Sequence, residues 1–280
     1  IKICTRHMTH LFALVKKPAT VQDWYTGARL TANRYMNTNT TTAEGVSSEY
    51  VFDSNVGWMK GTANSSVYQS WMWKRGQGCD VVTYSGTGLA GQKIRHNLST
   101  APEMIWLKKR SAVGEWTVGH AGVNSGVNPW EYELLLEEYY AQSDQSGKFN
   151  DTAPSSTHFT IGNSTWVNSG SDTYLAVLFA SITGISKCGY YSGSGGAQTI
   201  TTGFQPRFVI IKRTDAAASW FVFDSLRGWS SGADPYLLLD STAAQDGAYD
   251  MGSAESNGFS LINDTNTNAS GGSYIYYAHA

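Results

Sequence analysis

The chain of 280 residues is long enough for two average domains or three small ones, and its 41% hydrophobic content suffices to build cores. Charged residues stop at 15%, against roughly 25% in an average globular protein, and the formal net charge is −2. That balance excludes a concentrated basic surface for nucleic acid, and no run of about 20 apolar residues offers a transmembrane helix.

Taken in chain order, the opening Ile1-Lys2-Ile3-Cys4 has neither an initiator methionine nor a signal-peptide pattern, so the sequence reads as the C-terminal piece of a longer chain. Residues 11–17 end on the basic pair Lys16-Lys17, and Trp24 follows seven residues later. The same phrase returns as Met104-Ile105-Trp106-Leu107-Lys108-Lys109 with Trp116, and again as Phe208-Val209-Ile210-Ile211-Lys212-Arg213 with Trp220. Register then holds for sixteen more residues, to Tyr132 and Tyr236. The later repeats close on similar strands at 173–180 and 273–280, and the first closes at 67–73. The boundaries are therefore 1–76, 77–181 and 182–280, with the first repeat lacking an opening strand. A unit of about a hundred residues is a small domain rather than a solenoid repeat.

Strands are predicted in the third repeat at 187–191, 198–202, 207–212, 220–224, 236–240, 258–262 and 273–279, with Gly- and Asn-rich turns between them. In the second repeat the equivalents begin at 80–84. The acidic stretch 130–140 has good helix formers, but its counterpart at 235–243 carries Ser and Thr, so a strand followed by a short turn or a single helical turn is expected. The fold class is all-β, as tandem antiparallel β-sandwich-like repeats. The short joins at 74–78 and 181–184 imply that adjacent repeats pack together or share a sheet.

Chemistry-bearing patterns are sparse. Gly86-Thr87-Gly88-Leu89-Ala90-Gly91 has dinucleotide-fingerprint spacing, but the β-like residues after it offer no helix N-terminus, so a hairpin turn is expected. Residues 263–268 resemble part of a calcium loop yet lack its sixth-position Gly and terminal Glu, and no His/Cys spacing suits zinc. The six histidines share no matched Ser/Asp pair; His7 and His96 alone hold equivalent places, in the second strand. The three cysteines Cys4, Cys79 and Cys188 fall at inequivalent positions and read as reduced, buried residues. Glu131, Glu133, Glu137 and Glu138 are the carboxylates a glycan depolymerase would use, but the other repeats do not carry the cluster. No enzyme, cofactor or metal is expected. Trp24, Trp116 and Trp220 read as core anchors, whereas the non-repeated Trp130, Trp166 and Trp229, with Tyr191, are the candidates for ligand contact.

The phrases D-V-V-T-Y-S-G-T-G at 80–88, A-P-E-M-I-W-L-K-K-R at 101–110, D-T-Y-L-A-V-L-F-A at 172–180, F-Q-P-R-F-V-I-I-K-R at 204–213 and G-G-S-Y-I-Y-Y-A-H-A at 271–280 resemble a repeated β-rich module of bacteriophage virion proteins, chiefly tail-fibre-like and other structural proteins of marine phages. The resemblance implies a virion location, oligomeric assembly with copies of itself or other virion proteins, and a host-surface glycan or protein as partner, without membrane insertion. It supplies no catalytic or binding residues. The alternatives are a tail-spike glycan depolymerase and a purely architectural decoration or shaft protein. The bare edge left by the missing opening strand, around 1–14, is expected to be covered by upstream chain or by a neighbouring subunit.

Overall fold

The structure, a computed structural model, describes residues 10–52, 58–60, 67–76, 78–230 and 232–280. Cys4, His7 and most of the predicted edge at 1–14 lie outside the described residues.

In the first repeat, β1 (His10–Lys16), β2 (Tyr25–Ala28) and β7 (Gln69–Lys74) form a three-stranded sheet, and β3 (Arg34–Tyr35), β4 (Gly45–Val46), β5 (Tyr50–Val51) and β6 (Met59–Lys60) form two small ladders. The second repeat holds β8 (Cys79–Ser85), β9 (Gln92–Arg95), β10 (Met104–Lys109), β11 (Trp116–His120), β12 (Tyr132–Leu135), β13 (Ser143–Asp144), β14 (His158–Ile161) and β15 (Thr173–Phe179). The third holds β16 (Ser186–Ser192), β17 (Gln198–Thr201), β18 (Phe208–Arg213), β19 (Trp220–Asp224), β20 (Leu237–Leu238), β21 (Ser253–Glu255), β22 (Gly258–Leu261) and β23 (Ser273–His279). In both later repeats a large antiparallel sheet runs opening strand, closing strand, then the two tryptophan-linked strands, and a second ladder (β14-β9 or β17-β22-β21) accompanies it. The fold is all-β and sandwich-like. All the described ladders lie within single repeats, so the repeats pack together without sharing a sheet.

Strand alternation gives every main sheet two buried faces. Phe12 and Leu14 of β1, Met104 and Trp106 of β10, and Phe208 and Ile210 of β18 all enter one common core, joined by Trp24, Trp116 and Trp220. The intervening Ala13 and Val15, Ile105 and Leu107, and Val209 and Ile211 face three separate cores, one within each repeat. This doubly buried pattern explains why these strands read as continuous hydrophobic runs rather than alternating ones.

The repeats close into a ring. The indole Nε1 of Trp24 donates to Leu238 O of the third repeat at 2.7 Å, that of Trp116 to Asn37 O of the first at 2.8 Å, and that of Trp220 to Leu135 O of the second at 2.8 Å. The lysines follow the same cycle: Lys16 donates to Thr242 O, Lys108 to Thr40 O and Lys212 to Tyr139 O. Each ammonium also lies 5.7–5.8 Å from the centroid of its own repeat's tryptophan. Two backbone bonds seal each junction, for example Gly114 N to Thr41 O at 2.8 Å and Glu44 N to Arg110 O at 3.0 Å.

One local expectation changes. Gly86–Gly91 is a turn, but it carries the chain from β8 in one sheet to β9 in the other rather than forming a hairpin. Asn168 pins it, accepting from Thr87 N at 2.7 Å and donating to Leu89 O at 2.8 Å, and Asn268 does the same for the loop after β16. The acidic stretch keeps the expected strand, β12, and the turn after it at 136–137, and adds a short 3-10 turn before it at Pro129–Glu131.

Candidate functional site

A cleft of about 300 Å³ opens where the second and third repeats meet, lined chiefly by Glu103, His120, Gly122, Lys187, Cys188 and Tyr190. It exists because β11 ends on a glycine-rich turn. A Cβ at Gly122 would stand 2.5 Å from Tyr190 Cβ, so only glycine lets β16 approach this closely. Tyr190 packs one side on that turn and remains 54% exposed. At the matching place in the third repeat, the guanidinium of Arg227 is ion-paired to Asp224 and lies 5.7 Å from the Trp71 ring.

The ionisable groups of the cleft are largely committed. His120 Nδ1 accepts from Gly122 N at 2.9 Å, which places the proton on Nε2, facing Tyr276 O at 3.3 Å. Burial lowers its pKa to about 4, so the ring is neutral. The Cys188 thiol is buried and pushed well up, chiefly by desolvation, which keeps it protonated and a poor nucleophile. Glu103 accepts from Ser181 N at 2.6 Å. What remains is an acid, a lysine and an exposed aromatic ring, a set suited to holding a polar ligand with an apolar face.

The four aromatic candidates do not meet. Trp130 is buried against Phe149, Trp229 is buried and stacked on Phe223 at 5.1 Å, and Tyr191 stacks on Tyr274 at 4.9 Å while donating to Thr267 O. These three rings serve the repeat cores and present no face to a ligand. Trp166 is 39% exposed and sits 5.8 Å from Lys109 Nζ, which is ion-paired to Asp172 at 2.9 Å. The sequence reading missed Tyr190, although its mismatch with Thr83 at the same register position of β8 was a usable signal.

The acidic residues are engaged in packing. Glu133 and Glu115 both pair with the buried Lys148, at 2.9 and 2.7 Å. Glu137 accepts from Trp116 N at 3.0 Å, as Asp240 does from Trp220 N and Asn39 from Trp24 N. Burial raises the Glu137 pKa to about 7. Asp264, in the calcium-like loop, accepts from Asn266 N and Thr267 N, both at 2.8 Å. Among the described residues no His, Cys, Asp or Glu group is arranged to hold a metal ion, and no helix is long and apolar enough to cross a membrane.

A family model described as "Domain of unknown function (DUF7483)" matches residues 15–280, a stretch that reaches into all three repeats. The chain belongs to that family. Comparison with curated proteins and with solved structures finds no match.

Proposed function

We propose that the chain is a non-enzymatic structural module of a phage virion, in a fibre or surface appendage, and that it contributes to attachment at a host-surface glycan or protein. The observation that carries this reading is the ring itself, in which the recurring tryptophans and lysines of all three repeats are spent on holding the repeats together. A triplicated catalytic apparatus would leave such groups convergent on open space. Attachment would use the cleft around Tyr190 and the exposed ring of Trp166, with several chains per particle multiplying weak contacts into avidity. The resemblance of the quoted phrases to virion modules supports the location.

The depolymerase alternative requires two carboxylates facing each other across a cleft. Replacing Glu131, Glu133, Glu137 and Glu138 with Gln should leave host binding largely intact, allowing for the stability cost of the two buried sites. Release of reducing ends from host polysaccharide by the native chain, lost in that variant, would overturn the reading. Tyr190→Ala should weaken binding to host cells, with only a modest fall in melting temperature from the packing lost on the Gly122 turn.

A further inference from the structure

The cleft between the second and third repeats is not a repeated feature. Opening strands β8 and β16 match residue for residue through their closing strands, Cys79 opposite Phe179 and Ser186 opposite His279. Lys187 therefore stands where the second repeat has Asp80, and Tyr190 where it has Thr83. Asp80 is buried, ion-paired to Arg75 at 3.0 Å, and accepts from Asn97 N at 2.8 Å. Lys187 is half-buried on the cleft wall, and its ammonium enters no ion pair or hydrogen bond among the described residues. Glu103 is half-buried on the same wall, with its Oε2 engaged by Ser181 N at 2.6 Å. With His120 neutral and Cys188 protonated, Glu103 and Lys187 hold the charges of the cleft. Tyr190 lies along the glycine turn: a Cβ at Gly122 would stand 2.5 Å from its Cβ, and one at Gly126 would stand 3.0 Å from its hydroxyl. One side of the ring is thus seated and the rest is open.

We propose, resting on the attachment reading of this cleft, that it binds one sugar ring bearing a carboxylate, as in a uronic or other acidic unit of a surface glycan. Size sets the single ring, because about 300 Å³ lies at the floor of the ~300–1,000 Å³ over which pockets enclose small molecules. Tyr190 sets the sugar, whose apolar C–H face stacks on an aromatic ring. Lys187 sets the charge. A ligand that fills the cleft strips water from the ammonium, and only an anion offsets that desolvation. Glu103 limits the anion to a single charge. A carboxylate balances Lys187 one for one, whereas a phosphate group, at roughly −1.5 to −2, would leave an excess facing Glu103. The Glu103 Oε1 accepts from a ring hydroxyl, since an ionised carboxylate has acceptor sites to spare beyond one amide.

The test titrates the full chain with the methyl glycosides of glucuronic, galacturonic and N-acetylneuraminic acids, and with the carboxamide of each, read by ligand-observed NMR and calorimetry. At least one acid is expected to bind saturably and one to one, roughly tenfold or more tighter than its amide, as a hydrogen bond to a charged group allows. Lys187→Gln should remove that preference and Lys187→Arg should keep it, with both variants melting as the native chain does. Tyr190→Ala should weaken acid and amide alike. The proposal fails if no acid outbinds its amide, or if the preference survives Lys187→Gln. A chain that adheres to host cells through Tyr190 yet shows no preference for acids overturns this assignment and leaves the attachment reading standing. Acid binding by a chain that does not adhere does the reverse.

Discussion

Single buried donors decide how the ring is held. Trp116 Nε1 reaches Asn37 O across a repeat boundary in a fully buried setting, so Trp116→Phe leaves that carbonyl without a partner and should cost about 1–3 kcal/mol, plus a small cavity term. Chemical denaturation of the purified variant measures the loss. His120 gives a pH signature. Its folded pKa of about 4 lies below the unfolded value near 6.5, so between those values the unfolded chain takes up a proton that the folded chain refuses. Stability present above pH 6.5 is therefore lost as pH falls toward 4, and His120→Gln should remove that component of the melting-temperature profile. The buried lysines act in the alkaline range. Desolvation holds Lys16, Lys108 and Lys212 at about 8, below their ordinary 10.5, so stability should rise as pH climbs from about 8 to 10.5.

At the scale of elements, the turns carry as much specification as the strands. Gly86 and Gly91 flank one loop for different reasons. A Cβ on Gly86 would sit 2.1 Å from Ser169 O, a backbone collision, whereas Gly91 has open space and a φ of +82°. Gly91→Ala should therefore cost about 1–2 kcal/mol, the strain of a left-handed backbone alone. Gly86→Ala should cost more than that, because the corner between the two sheets must open. Comparing the two melting temperatures checks the order. The equivalent Gly193 meets Ala269 O at the same 2.1 Å, so its alanine variant should behave like that of Gly86. The Asn168 and Asn268 amides hold these corners from the other side, which is why loops with no fixed spacing between repeats still take one geometry.

For the whole molecule, the common core makes the three repeats interdependent. Trp71 and Trp73 of the first repeat, Trp106 and Phe179 of the second, and Phe208 and Tyr277 of the third belong to one cluster, with Trp73 Nε1 donating to Tyr277 OH at 2.9 Å. Removing any repeat uncovers the apolar faces of the other two. Calorimetry of the intact chain should accordingly show a single cooperative transition, with no separate melting of repeats. A fragment spanning residues 77–280 should bind a hydrophobic dye or aggregate. Independent, additive transitions would mean that the ring contributes little to stability.

The sequence alone determined the β class, the threefold recurrence and most strand positions, because short apolar and aromatic runs bounded by Gly- and Asn-rich turns are written locally. The strands at Trp220–Asp224 and Ser273–His279 fall where residue patterns put them. Strand β21 was missed because Ser253-Ala254-Glu255 carries no apolar alternation and forms only by pairing with β22. The recurring tryptophans announced a common role, but the partners of their indoles lie 79 to 214 positions away in the chain. No local signal encodes such a partner. Tertiary structure likewise decided that Trp130, Trp229 and Tyr191 face cores and Tyr190 faces a cleft, since burial depends on which neighbour arrives rather than on the residue itself. The ring was legible only once three sheets, each apolar on both faces, had to find three cores of their own and one to share.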